Sequence, residues 1–144
     1  MHAPHLIVLL CIAASAACAK ELPQRQQATD TTYPAVLVAR QVDAFNRRDL
    51  DAFLATHSPD IELRTLGIDS VEVRGHKALR DAYKFLLTMP EEFHARTVEQ
   101  IVSGPFVIAR ESIEGIPTPF QFDPVVIYEV RDSLIRRVWQ TPNK

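Results

Sequence analysis

The chain has 144 residues, of which 47% are apolar, and this length corresponds to one globular domain. Its 16 basic and 18 acidic residues give a formal net charge of −2, which argues against a protein that binds nucleic acid through a basic face. Beyond the N-terminal segment no apolar stretch is long enough to cross a bilayer, so we expect no membrane span.

The first 19 residues have the pattern of a secretory signal peptide. An apolar run over residues 6–17 is followed by small residues at the −3 and −1 positions, Ala17 and Ala19, before Lys20. We therefore expect cleavage after Ala19 and export of the mature domain, to the periplasm or as a secreted protein. Both cysteines, Cys11 and Cys18, lie inside this segment, so the mature domain would have neither a disulfide nor a thiolate metal site.

A lipoprotein signal is a second interpretation of the same segment. Residues 15–18, SAAC, loosely match a bacterial lipoprotein cleavage site, which would make Cys18 the lipidated first residue and a membrane anchor. The two interpretations predict different mature N termini. Residues 20–33 are polar and have little apolar surface to bury, which indicates a flexible linker before a folded domain at residues 34–141.

Helical periodicity predicts three helices. The first begins near Thr32 with Pro34 in its first turn, where the missing N–H costs nothing. The second is capped by Asp49 and ends before Pro59, because the residue before a proline is pushed out of the α region. The third begins at Gly75 and stops before residue 90. The apolar face of the first helix comprises Val38, Val42 and Phe45, and that of the second comprises Leu50, Phe53, Leu54 and His57. The apolar face of the third comprises Leu79, Ala82, Tyr83, Leu86 and Leu87.

Alternating apolar and polar residues predict six strands. They cover residues 61–66, 71–74, 93–102, 106–114, 122–131 and 134–140, and the last two form a hairpin across residues 132–133. The element order is therefore α-α-β-β-α-β-β-β-β. Helices gathered before a succession of hairpin strands indicate an α+β fold, with the helices packed on one face of an antiparallel sheet.

Five stretches carry a resemblance to a known superfamily: FNRRDLDAF at 45–53, SPDI at 58–61, VRGHKAL at 73–79, IYEVRD at 127–132 and LIRRVW at 134–139. Together with the element order, they resemble the nuclear-transport-factor-2-like superfamily, in particular its SnoaL-like and ketosteroid-isomerase-like domains. The resemblance implies a cone-shaped roll, a curved sheet wrapped on three helices, that often dimerises through the sheet. It predicts fold more than function, because this scaffold carries isomerases, dehydratases, cyclases, binding modules and assembly domains.

The catalytic set of a steroid isomerase is not found at the positions that the resemblance assigns. That chemistry needs a carboxylate base, a tyrosine and a protonated acid. In an ungapped registration these roles fall on Thr65, Gln41 and Val126. A dehydratase of the scytalone type would need a His–Asp pair, for which His57 is the best placed histidine, although a structural role for this residue is the alternative. We therefore assign no catalytic residue.

The same registration places one set of strand side chains inside the cone. Glu111 and Arg137 would then be opposite charges inside an apolar cavity, beside Tyr128 and Trp139. They would form an ion pair, because burying a charge without a partner costs free energy. The pair is either structural or a polar anchor for a ligand, and a register error of one residue would replace it by other side chains. The ligand-pocket candidates are His57, Thr65, Tyr83, Glu111, Val126, Tyr128, Arg137 and Trp139.

The sequence favours an exported, homodimeric module that binds a small lipophilic molecule, because an apolar pocket is implied and no complete acid–base set is found. An enzyme of the isomerase, dehydratase or cyclase kind, acting on a small lipophilic or polyketide-like substrate by proton transfer, is the alternative. An interaction domain that docks through its sheet is a third possibility. No metal-ligand spacing or cofactor motif is evident, so we expect neither a metal nor a cofactor.

Overall fold

A computed structural model describes residues 32–116 and 122–142. The predicted signal peptide, the possible lipidation site at Cys18, most of the predicted linker and residues 117–121, which precede the fifth predicted strand, lie outside the described residues. Within the described ranges, no helix combines the length and the apolar character that crossing a membrane requires.

The three helices begin where their sequence signals predict. The first helix, α1, spans Thr32–Asn46, so it begins two residues before the predicted domain boundary at residue 34. The second, α2, spans Leu50–Ala55, and the Asp49 side chain accepts a hydrogen bond from the backbone N–H of Ala52 at 2.9 Å, as an N-cap does. The third, α3, spans Gly75–Tyr83 and continues as a 3₁₀ turn over Lys84–Thr88.

Two helix ends differ from prediction. Helix α2 stops at Ala55, and His57 is the first residue of a strand rather than part of the helical face, because its backbone already pairs with Ile135. The 3₁₀ turn after α3 changes the spacing of side chains. Leu86 consequently stays in the core, whereas Leu87, predicted to be buried, is 63% exposed.

Six strands form one sheet in the order β2-β1-β6-β5-β4-β3. The α+β class and the predicted element order are confirmed, but the sheet is mixed rather than wholly antiparallel, because β1 lies parallel to β6. This pairing joins the first and last strands of the domain, and no local sequence pattern encodes it. The strands are β1 His57–Thr65, β2 Val73–Arg74, β3 His94–Ser103, β4 Phe106–Glu114, β5 Val125–Arg131 and β6 Leu134–Gln140.

A β-bulge in β6 interrupts the alternation of its side chains. Glu129 is the Cα partner of Arg137, whereas the next residue, Val130, is the partner of Ile135, so β6 has one residue more than β5 at this point. Ile135 and Val138 are both buried on the helix side of the sheet, three residues apart instead of two. The bulge therefore turns Arg137 away from the interior.

The hydrophobic core lies between the helices and one face of the sheet. Helix α1 contacts β3 and β4, and α2 and α3 contact β1. The largest side chains that are fully buried come from every layer of this arrangement: Phe53, Ile61, Leu79, Leu86 and Ile135. A space between the helices and the sheet stays unfilled, and it is the candidate site.

Candidate functional site

A cavity of about 220 Å³ lies between the helices and the inner face of the sheet. Helix α1 contributes Gln41, Val42 and Phe45, while the strands contribute inward-facing side chains of β3, β4, β5 and β6. The described lining includes no lysine and no arginine. Most of it is apolar, which is typical of a small-molecule site.

Aromatic rings form a continuous cluster along the helix side of the cavity. The Phe53 ring lies 4.7 Å from the rings of both Tyr83 and His57, measured between centroids. Phe45 lies 5.9 Å from Phe93 and 6.2 Å from Tyr83. Phe45, Phe53 and Tyr83 lie on the apolar helix faces that the sequence predicts, and in the structure their rings line the cavity.

Glu111 is the one carboxyl group among the described lining residues. It lies on the inner face of β4, two residues beyond the buried Ala109, so the predicted alternation of this strand is correct. The Tyr128 hydroxyl donates a hydrogen bond of 2.6 Å to Glu111 Oε1, and Oε2 has no hydrogen-bond partner among the described residues. Burial raises the pKa of Glu111 above its usual value, although the tyrosine hydrogen bond opposes this.

Both tyrosines of the cavity stay protonated at physiological pH. Burial raises the pKa of Tyr83 to about 12, and the nearby Glu111 charge acts in the same direction. Burial and the Glu111 charge also raise the pKa of Tyr128 well above its usual value. Because the Tyr83 hydroxyl makes no hydrogen bond to a described residue, it can donate to or accept from a ligand.

His57 is buried and neutral. Burial lowers its pKa from 6.5 to about 4. Its Nδ1 lies 2.8 Å from the carbonyl oxygen of Phe53 and 3.1 Å from the hydroxyl of Thr56. A carbonyl oxygen can only accept, so Nδ1 carries the proton and Nε2 is an acceptor with no partner among the described residues.

Gln41 and Gln140 are polar lining residues that were not among the pocket candidates. Gln41 is buried, and its Oε1 has no hydrogen-bond partner among the residues that the structure describes. Sequence could have indicated it, because Gln41 lies three residues after Val38 and four before Phe45 and therefore shares the apolar face of α1. An unsatisfied buried amide is rare in folded proteins, and a ligand that bonds to it would remove the penalty.

Five of the eight pocket candidates line the cavity: His57, Tyr83, Glu111, Val126 and Tyr128. The other three are not among its lining residues. Thr65 is buried but donates its hydroxyl hydrogen bond to Glu72. Trp139 lies between Val138 and Gln140, two residues that do line the cavity, and it therefore points to the opposite face of the sheet.

The predicted ion pair between Glu111 and Arg137 is wrong. The Arg137 side chain is 51% exposed, and its Nη1 lies 3.0 Å from Glu129 Oε2 on the outer face of the sheet. Its Nε also lies 3.6 Å from Glu62. The β6 bulge is the physical reason, because it reverses the face to which Arg137 would otherwise point. Arg131 also contacts Glu129, so this buried carboxylate is doubly paired.

Across residues 32–116 and 122–142, no three histidine, cysteine, aspartate or glutamate side chains come close enough to hold an ion. The polar groups that the described lining residues offer are a carboxyl, two tyrosine hydroxyls, a neutral imidazole and the side-chain amides of Gln41 and Gln140.

Three helices over one face of a six-stranded sheet, with a cavity between the layers, define the nuclear-transport-factor-2-like class of α+β proteins. Within this class, the family model of the SnoaL-like domain matches residues 38–138, and the chain belongs to that family. A comparison with curated proteins found no match.

Solved structures with the same fold come from several bacteria. A proposed ketosteroid isomerase from Kribbella flavida is 20% identical, with a TM-score of 0.64, over 80% of this chain and 82% of its own. A proposed polyketide cyclase from Sinorhizobium meliloti is 19% identical, with a TM-score of 0.61, over 74% and 94%. A protein from Catenulispora acidiphila with a ketosteroid-isomerase-like fold, in complex with trimethylamine, is 16% identical, with a TM-score of 0.60, over 74% and 85%. At these identities the likeness shows the fold alone.

Proposed function

We propose that this protein binds a small lipophilic molecule in the cavity between its helices and its sheet. The observation that carries the proposal is a largely apolar cavity of about 220 Å³ that contains the hydrogen-bonded pair of Glu111 and Tyr128. A dry cavity of about 150 Å³ accommodates benzene, so this one has room for a six-membered ring with a short substituent. The relative from Catenulispora acidiphila, which is in complex with a small organic molecule, supports this use of the fold.

Polar groups inside an apolar cavity lower the stability of the free protein. Burial of the Glu111 carboxyl disfavours its charged form, and the buried Oε1 of Gln41 makes no hydrogen bond within residues 32–116 and 122–142. Perturbed titratable groups in a cleft are typical of functional sites. A ligand that bonds to these groups would recover part of the lost free energy, which supports binding as the role of the cavity.

Thermal-shift measurements with small cyclic ketones, alcohols, amines and carboxylic acids test the proposal. We expect at least one class to raise the melting temperature, and we expect Glu111→Gln or Tyr128→Phe to change that response. Glu99→Gln is the matched control, since Glu99 is an exposed glutamate of β3 that contacts Arg110 at the surface. A wild-type protein that responds to none of these compounds would contradict the proposal.

Proton transfer is a second candidate function, and the raised pKa of Glu111 favours it. An ionised Glu111 would remove a proton from the carbon beside a carbonyl, and the free hydroxyl of Tyr83 would stabilise the enolate oxygen. Exchange of the α-hydrogens of cyclohexanone for deuterium in D₂O measures this activity. We expect Glu111→Gln to abolish the catalysed exchange, and exchange that survives the substitution would contradict this role.

We further propose that the chain forms a homodimer through the outer face of the sheet. Ile101, Ile108, Ile127 and Trp139 are successive Cα partners across β3, β4, β5 and β6, and their inward-facing neighbours assign them to the opposite face. Light scattering should give the dimer mass for the wild type and the monomer mass for Ile108→Lys. The control is Ile68→Lys, at an exposed isoleucine after β1. A wild-type monomer at about 100 µM would contradict the dimer, and a monomer that captures other proteins through this row would indicate an interaction domain instead.

Export is also a proposal, and the sequence of residues 1–19 supports it. Mass spectrometry of the mature protein distinguishes the two forms of processing. An N terminus at Lys20 would indicate a signal peptide, and a lipidated Cys18 would indicate a lipoprotein. An intact Met1 in protein purified from cells would contradict both.

A further inference from the structure

We propose that the molecule bound in the cavity carries a protonated aliphatic amine, whose ammonium group lies against the Glu111 carboxylate. This inference rests on the proposed binding function and specifies the chemical class of the ligand. It follows from the kind of polar groups that the cavity leaves without partners and from the sign of the one charge that it can hold.

Three polar atoms of the described lining residues are acceptors without a donor. Glu111 Oε2, His57 Nε2 and Gln41 Oε1 each lack a hydrogen-bond donor among the described residues. The Tyr128 hydroxyl is already used, because it donates to Glu111 Oε1. An ammonium group supplies up to three N–H donors and no acceptor, so it suits the Glu111 carboxylate, which can only accept.

The negative charge that the cavity can hold also favours a cationic ligand. Glu111 is the one lining residue in the described ranges that can carry a formal charge at neutral pH, since His57 is neutral and both tyrosines remain protonated. An anionic ligand would meet this carboxylate in a low-dielectric space with no cation to offset the repulsion. An ammonium group would instead favour the ionised carboxylate and reverse the effect of burial on the Glu111 pKa.

The aromatic wall adds a further attraction for a cation. Phe45, Phe53, Tyr83 and Phe93 form one cluster with centroid distances of 4.7 to 6.4 Å. The faces of such rings attract ammonium groups that lie within about 6 Å of a centroid. The same rings supply the apolar surface that the hydrocarbon part of the ligand would contact.

Three probes of one shape test the inference: cyclohexylmethylamine, cyclohexylmethanol and cyclohexanecarboxylate. They share a six-membered ring and differ in an end group that is cationic, neutral or anionic at pH 7.5. Calorimetric titration of the full mature chain measures each Kd. We expect the amine to bind about tenfold or more tightly than the alcohol, because hydrogen bonds to charged groups are stronger, and the carboxylate to bind least.

Variants identify the group responsible. Glu111→Gln should remove the preference for the amine, weakening its binding about tenfold, and should leave the alcohol nearly unchanged. The control Glu99→Gln should leave all three affinities as they are. Should Glu111→Gln fail to fold, the wild type provides the same test, because amine affinity must fall as the pH is lowered and Glu111 becomes protonated, while alcohol affinity does not.

The outcomes separate this inference from the proposed function. If none of the three probes binds, the cavity is not a ligand site and both proposals are wrong. If the alcohol or the carboxylate binds as tightly as the amine, the cavity is a ligand site and the amine inference alone is wrong. An amine preference that persists in Glu111→Gln would also overturn the assignment.

Discussion

Replacing Gln41 by leucine should make the free protein more stable and a poorer binder. The side chain is buried, and its Oε1 makes no hydrogen bond to any described residue, which costs about 1–3 kcal/mol relative to a satisfied or apolar group. Leucine has a similar length and contributes no polar atom to the cavity. We therefore expect Gln41→Leu to raise the free energy of unfolding by about 1–3 kcal/mol.

This gain is large enough to measure. At about 4 °C per kcal/mol for a domain of this size, the melting temperature should rise by about 4–12 °C. Urea denaturation should give a higher midpoint with an unchanged slope, which identifies an effect on stability rather than on the unfolded state. Calorimetry with cyclohexylmethylamine should show weaker binding, since one acceptor is lost.

A matched control keeps the comparison specific. Gln100→Leu changes an exposed glutamine of β3, and it should alter stability by no more than about 0.5 kcal/mol. If Gln41→Leu lowers stability by about 1 kcal/mol or more, the amide stabilises the fold, and the view that it is kept for a ligand is wrong.

The remaining predictions concern pH, backbone space and the outer face. Unfolded His57 binds a proton near pH 6.5 and folded His57 only near pH 4, so stability should fall by about 3 kcal/mol as the pH drops through this window. Urea midpoints at pH 7 and pH 4 should show this loss in the wild type and much less of it in His57→Gln. Gly115→Ala should lower the melting temperature more than Gly104→Ala. Both glycines have a positive φ, but only the Cβ added at Gly115 would clash with a backbone atom, the Glu92 carbonyl oxygen. Equal melting temperatures for the two variants would contradict this prediction. Glu129→Ala should lower the free energy of unfolding by about 1.5–3 kcal/mol, because Arg131 and Arg137 lose their hydrogen bonds to a buried carboxylate. The exposed Glu114→Ala should lower it by about 1 kcal/mol or less, and similar losses in denaturation would refute the distinction.

Local patterns predicted the elements of this fold because the signals for them are local. The Asp49 cap and the Val38, Val42 and Phe45 spacing act within one helix, and alternation along β4 placed Glu111 correctly. The parallel pairing of β1 with β6 joins distant parts of the chain, so no short pattern indicates it. The family resemblance supplied the cone that the periodicities alone could not.

The candidate site was predicted only in part, and the errors have one main cause. Period-two alternation identified Val126 and Tyr128 on β5, where the strand is regular through these residues. It failed on β6, because the bulge inserts a residue without a glycine or proline to mark it, and Arg137 and Trp139 were assigned to the wrong face. Gln41 was considered only as the position of an absent catalytic tyrosine, and it was not selected for the pocket although it lies on the apolar face of α1.

The bulge in β6 is also what makes an unpaired Glu111 possible. Without it, strict alternation from Ile135 would direct Arg137 inward, where it could neutralise the carboxylate and fill the cavity with its long side chain. With it, Arg137 lies outside and pairs with Glu129 and Glu62, so the outer carboxylates are satisfied. The two faces of the sheet therefore differ: the buried carboxylates of the outer face form ion pairs with arginines of the protein, whereas the Glu111 carboxyl of the inner face has no cationic partner among the described residues. That asymmetry is the physical reason to expect that a ligand, and one that donates hydrogen bonds, completes the inner face.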